Sequence, residues 1–306
     1  LAGLLLGYWR FHFIATSDSG RQGGAEAPRV LTAAATNTAE KPDFASRSLG
    51  LLLVRMSWLN LRETIKNIYF LVLVLAGVLM MVASGLEFAP LYGTSTYPAT
   101  YLVLESVSET FALFMMVITT FYAGELVWRE REAHMGQMLD ALPVPGWLPL
   151  LAKLFALIGL QALLMLVVML TGMAIQIGKG YFVLEPGLYL YHLFLLQLPG
   201  YALGAVLAVA LQVLINQRYL AYFAMIVYYV AAVTISSLGL GDPLLLYGEM
   251  PRFVYSAMNG YGHYLPRERW FEAYWLGAAI VLMVLAVLFW ARGTNDGWRQ
   301  RLQLAR

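Results

Sequence analysis

The chain has 306 residues, 60% of them hydrophobic and 12% charged, with no cysteine and a formal net charge of +2. Soluble domains carry about a quarter charged residues, so half the usual charge is missing, which excludes a water-soluble globular enzyme and a disordered chain. The lack of cysteine excludes disulfide frameworks, thiolate metal sites and cysteine nucleophiles, and a near-neutral balance gives no basis for nucleic acid binding. What remains is an all-α polytopic membrane protein.

Leu1 to Tyr8 is apolar but far shorter than the roughly 20 residues needed to cross a bilayer core. No basic residues precede it and no clear small-residue cleavage site follows it, which argues against a signal peptide. Residues 1–14 therefore read as the end of an upstream transmembrane helix. Residues 15–49, rich in Ala, Thr, Ser and Gly, lack helical periodicity and read as a flexible linker. Residues 50–306 form the transmembrane domain. It opens at 51–66 with Leu51, Val54, Trp58, Leu61 and Ile65 at helical spacing and Arg55, Arg62 and Lys66 elsewhere on the wheel. That is the pattern of an amphipathic helix lying flat on membrane lipid.

Hydropathy then predicts about six crossings, at 68–86, 104–123, 147–177, 188–215, 219–238 and 274–290. A long external segment, 239–271, precedes the last one. It is too polar to span and too apolar for a free loop, which suggests short helices dipping towards the membrane. Alternating the loops puts sixteen of the 20 Lys and Arg on one side, leaving only Lys179, Arg252, Arg267 and Arg269 on the other. The positive side is the cytoplasmic one. The linker and both chain ends are expected there.

Between the second and third crossings lies ELVWREREAHMGQMLDALPVP, from Glu125 to Pro145. Charges alternate until Pro143 and Pro145, which cannot continue a regular helix. On a helix, Trp128, Met135, Leu139 and Leu142 share one face, and Arg129, Glu130, Glu132 and Asp140 are left for solvent or a partner. A solvated loop helix with ordinary charge pairs would show the same pattern. Within the second span, Glu105 and Glu109 share a face. They fit interfacial positions, or alternatively a polar vestibule lining or proton-coupling pair. Gly200 and Gly204 after Pro199 form a small-residue pair suited to close helix packing.

The run FYAGELVWREREAHMGQMLDALPVPGWLPLLAKL resembles the segment after the second span of ABC-2-type transporter permeases, with its acidic and basic stretch, small-residue–Pro element and Lys at the foot of the next span. YSAMNGYGHYLPRERWFEAYW and the tail RGTNDGWRQRLQLAR are similar to a bacterial subgroup in which such a permease is fused to an aminopeptidase-N-like domain of the M1 family. The resemblance covers residues 47–306. It implies a coupling helix at 128–142 (Trp128, Arg129, Glu130, Arg131, Glu132, Met135, Leu139 and Leu142) that docks on a separate ATP-binding cassette subunit carrying ATP and Mg. It also implies a connecting helix at 51–66, a second homologous half fused upstream, and residence in the bacterial inner membrane.

The sequence itself holds no catalytic centre that we can assign. There is no His-Glu-x-x-His, and His12, His134, His192 and His263 are dispersed. Gly178-Lys179 is followed by Gly180 and lacks phosphate-loop spacing. The function expected is an exporter permease half without its own cofactor. The alternatives are an ion-coupled carrier or channel using Glu109, and the membrane anchor of a fused metallopeptidase.

Overall fold

The computed structural model describes residues 46–86, 97–135, 144–239 and 242–290, the last stretch except 252, 253, 257 and 263. The chain divides into two compact units, Leu1–Phe44 and Ala45–Arg306, and the described residues all belong to the second. The expected stub at 1–14, most of the linker and the tail lie outside them.

Inside a bilayer every backbone group must be paired within the protein, which leaves helices as the structure for these apolar runs. The elements are α1 (Ser46–Ile65), α2 (Ile68–Leu86), α3 (Thr100–Glu132), α4 (Trp147–Gly178), α5 (Pro186–Leu190), a π-helical stretch (Tyr191–Gln197), α6 (Leu198–Ile215), α7 (Arg218–Ser237) and α8 (Leu265–Phe289). Among the described residues six helical segments are long and apolar enough to cross a membrane, α5 through α6 counting as one.

α3, α4 and α6 pack on one another at the centre. Their core side chains include Phe111, Met115 and Ile118 from α3, Leu157, Leu160 and Leu164 from α4, and Val206 and Val209 from α6. α2 lies on α3 and α4, α7 on α3 and α6, α8 on α6, and α1 on α4. Large apolar side chains such as Leu71, Val72, Leu75 and Leu79 point outward from α2, as a lipid-facing surface requires. At one end of the bundle Gln176 Nε2 donates to Pro98 O and Thr100 Oγ1, both at 3.2 Å, while its Oε1 accepts from Tyr189 OH at 3.0 Å. That knot fixes the start of α3.

Several element boundaries differ from the sequence-based expectation, each for a local reason. α1 begins at Ser46, taking up the last residues assigned to the linker. Its apolar stripe is turned away from the bundle, with Trp58 64% exposed, whereas Asn60 and Thr64 are buried. α3 runs on to Glu132 rather than ending near Ala123, because nothing between them breaks a helix. Trp128 to Glu132 are thus the last turn of this long rod and do not start a separate helix. The helix ends at Ala133, and His134 takes a left-handed φ of 55°. α8 starts nine residues early, at Leu265, with Pro266 in its first turn, where the missing N–H costs nothing. The expected short outer helices are absent among the described residues of 242–264, which form turns and one bridge between Ser256 and Gly260.

Pro199 lacks the donor that would close a regular turn, and the helix widens into its π-helical stretch immediately upstream. Close packing comes from other glycines than the expected pair. A Cβ on Gly172 would lie 2.9 Å from both Cε1 and the hydroxyl of Tyr189, whose side chain is fully buried. Gly172→Ala is therefore expected to cost about 1–3 kcal/mol through overpacking. Tyr189→Leu in the same chain should recover part of that loss. Unfolding in detergent followed by tryptophan fluorescence reads both, and an unchanged midpoint for the single variant would refute the close approach.

Candidate functional site

Two polar assemblies sit at opposite ends of the bundle. The first is built on the last two turns of α3, where successive residues point around the rod at about 100° intervals. Each meets a different neighbour. Glu130 Oε2 accepts from Lys153 Nζ of α4 at 2.7 Å. Arg129 reaches α1, pairing with Glu63 at 2.9 Å and donating to Asn60 Oδ1 at 2.5 Å. Trp128 Nε1 donates to Gln212 Oε1 of α6 at 2.8 Å. Arg131 Nη1 donates to Asn216 Oδ1 at 2.7 Å, just past α6, and its guanidinium lies 5.0 Å from the Trp128 ring centre and 5.3 Å from that of Trp290 after α8.

Glu125 and Glu132, two turns apart on one face, both bind Arg218 at the start of α7. Arg218 Nη2 donates to Glu125 at 2.8 Å and Nη1 to Glu132, while Nε donates to Tyr222 OH at 3.0 Å. Tyr222 crosses α3 at Gly124, where an added Cβ would lie 2.3 Å from the phenol. Only glycine leaves that passage open.

Lys153 is the most deeply placed charge, 1% exposed, with the Trp290 ring 5.2 Å from its ammonium. An isolated buried ammonium is costly, and the pair is tolerable only because Glu130 neutralises it. Of the residues expected to contact a partner subunit, Trp128 to Glu132 are thus occupied by neighbours within the chain. Met135 is half exposed. Leu139 and Leu142 lie outside the described residues.

The second assembly is a cavity of about 900 Å³ at the other end, bounded by α3, the π-helical stretch, α6, α7 and the turns of 247–261. Glu105 and Glu109 line it from α3. Neither forms an ion pair among the described residues. Tyr101, Tyr201, Tyr228, Tyr229, Tyr247 and Tyr255 line it as well. Tyr101 stacks on Tyr255 with ring centres 5.5 Å apart, and Tyr255 meets Tyr261 edge-on at 5.2 Å. Burial, with Tyr255 and Glu105 adding to it, pushes the Tyr261 phenol above its ordinary range, so it stays protonated. Its oxygen lies 2.6 Å from His192 Nδ1, and His192 Nε2 lies 2.9 Å from the Gln197 amide nitrogen.

Gly200 and Gly204 also line this cavity instead of a helix contact. A Cβ on Gly200 would meet nothing within 4 Å, and one on Gly204 only the Tyr229 hydroxyl at 3.9 Å. Asn60, Gln212, Asn216 and Arg218 take part in the charged hub without having been singled out in the sequence. The available signal was a lone polar side chain at the end of an otherwise apolar helix.

Fold and sites together define a polytopic membrane protein whose helix ends are locked by charge and whose opposite end holds a polar cavity. The model for the family described as ABC-2 family transporter protein matches residues 62–234, over half of the sequence, and the chain belongs to that family. It is therefore a membrane permease component of an ATP-binding-cassette transporter, and the family implies an ATP-binding cassette ATPase as its partner. No curated protein and no solved structure matches the chain.

Glu130→Gln strands the Lys153 ammonium and is expected to destabilise the protein by about 3 kcal/mol, the low end for a broken buried pair because Glu130 is partly exposed. Lys153→Met in the same chain should restore most of it. Equal losses in the single and double variants, measured by denaturant unfolding, would show that the two side chains are not coupled.

Proposed function

We propose that this chain is the transmembrane half of an ATP-driven exporter of the bacterial inner membrane, powered by ATP and Mg held in a separate subunit. In this reading the charged end of the bundle faces the cytoplasm, where Arg and Lys accumulate. A second homologous half, fused upstream, completes the pathway. The resemblance of residues 255–275 and of the tail supports an aminopeptidase-like domain downstream.

The observation that carries the proposal is the fan of contacts made by Trp128 to Glu132. These residues act as the transmission, and the docking surface falls on the segment between Ala133 and Gly146 that follows them. A partner that pushes on that segment loads the end of α3. Through the ion pairs it then loads α1, α4 and α7 together. α3 has 33 residues, about 50 Å at 1.5 Å per residue, and its far end carries Glu105 and Glu109 into the cavity. A displacement at one end therefore reaches the other along a single rod.

The lack of cysteine makes the test direct, since Met135→Cys supplies the only thiol in the chain. In membranes containing the intact transporter, that thiol is expected to cross-link to the ATP-binding subunit, with a yield that changes on adding ATP. Glu125→Gln with Glu132→Gln is expected to leave the complex assembled and to lower its ATP hydrolysis severalfold. A complex that purifies intact without the cross-link and keeps full turnover in the double variant would overturn the coupling role. Flux that needs no ATP and vanishes in Glu109→Gln would instead identify an ion-coupled carrier.

A further inference from the structure

We propose that the outer cavity is a binding site for an amphiphilic organic cation, an ammonium- or phosphonium-type charge on an apolar body, with Glu105 and Glu109 as its countercharges. The inference rests on the reading of the chain as an exporter half only in treating the bound cation as cargo; the site itself is argued from its lining.

The charges there have one sign. Glu105, Glu109 and Glu249 line the cavity, and no lysine or arginine does so among the described residues. An anionic or phosphate-bearing ligand would meet carboxylates with no cation among the described lining residues to offset them. The hydrogen bonds of His192 to Tyr261 and Gln197 occupy both of its ring nitrogens.

The walls suit a cation that has shed its water. Tyrosine faces carry a negative quadrupole that attracts ammonium groups, and rings gathered into a cage are the usual way to hold a quaternary one. Tyr101, Tyr255 and Tyr261 form three contiguous rings at the mouth, and Tyr101 sits one turn of α3 before Glu105. Met116, Leu196, Ala232 and Val233 supply apolar wall. At about 900 Å³ the space lies at the upper end of small-molecule sites.

A further observation points to a ligand independently of the acidic groups. Ser108 is only 6% exposed and lines the cavity between the two glutamates, and its hydroxyl has no hydrogen-bond partner. Unsatisfied buried acceptors are rare in folded proteins. Ser108 on the cavity wall fits a site completed by what enters it, its hydroxyl oxygen being free to turn its dipole towards a bound cation.

Tetraphenylphosphonium and tetraphenylborate test this directly, being of matched size and opposite charge. With the intact transporter in lipid nanodiscs, and empty nanodiscs as the blank, the phosphonium is expected to bind saturably and the borate not to. Glu105→Gln with Glu109→Gln should weaken the phosphonium at least about tenfold. Among the described residues neither carboxylate has an ion-pair partner that the double variant would strand. Tyr255→Leu serves as a second variant that leaves the charge unchanged, and should weaken binding severalfold. Equal binding of the two ions, or unaltered phosphonium binding in the double glutamine variant, would overturn the proposal. Binding is measured without nucleotide, so its failure is separate from failure of the exporter reading, which is scored by ATP hydrolysis in the same nanodiscs.

Discussion

The arrangement of this bundle depends on the charged end of α3. In water, helices associate because burying apolar surface is favourable; in a bilayer the lipid tails are as apolar as leucine, and that driving force disappears. Order among the rods has to come from close packing and from polar pairs that cannot be satisfied elsewhere. The pair between Lys153 and Glu130, with the ammonium 1% exposed, is the extreme case. Around it Arg129, Arg131 and the two glutamates that hold Arg218 fix the rotation and height of α3 against α1, α6 and α7. Sliding α3 by one residue would turn each of these side chains by about 100° and break them together.

The two ends of α3 thus obey opposite rules. At one end every carboxylate, Glu125, Glu130 and Glu132, has a cation within the chain. About 30 Å away at 1.5 Å per residue, Glu105 and Glu109 stand on the same rod with no such partner and with a cavity in front of them. At the locked end these carboxylates are already neutralised from within. The open end has charge to spare. This division separates the part of the helix that holds the bundle together from the part available to a ligand.

Composition and hydropathy were enough to reveal the helical class and the approximate positions of the six crossings. They misplaced the ends of α3 and α8 because hydropathy stops where charges begin, while a helix stops where its backbone is broken. Glu, Arg and Trp at the end of α3 are acceptable helix formers, no Pro intervenes before Ala133, and the single glycine, Gly124, is kept helical where Tyr222 packs across it. The hub itself was not legible because its partners are remote in sequence: Arg129 and Asn60 are 69 residues apart, Arg218 and Glu125 are 93. Spacing along one helix cannot reveal contacts of that kind. The small-residue motif at Gly200 and Gly204 failed for the converse reason. Its pattern permits a close approach but cannot say whether a helix or a cavity will fill the space.

The unpaired carboxylates also constrain any cycle of opening and closing. While the cavity is open, water solvates Glu105 and Glu109, and their charges cost little. Closing it removes that water, and two carboxylates four residues apart on one helix would then face each other's repulsion in a medium of low dielectric constant. Protons can neutralise them, or a bound cation can. Only the second uses the surrounding tyrosine faces and the dipole of the unpartnered Ser108 hydroxyl. On the proposed reading, a bound cation therefore does more than occupy the space: it would remove the electrostatic obstacle to closing around it.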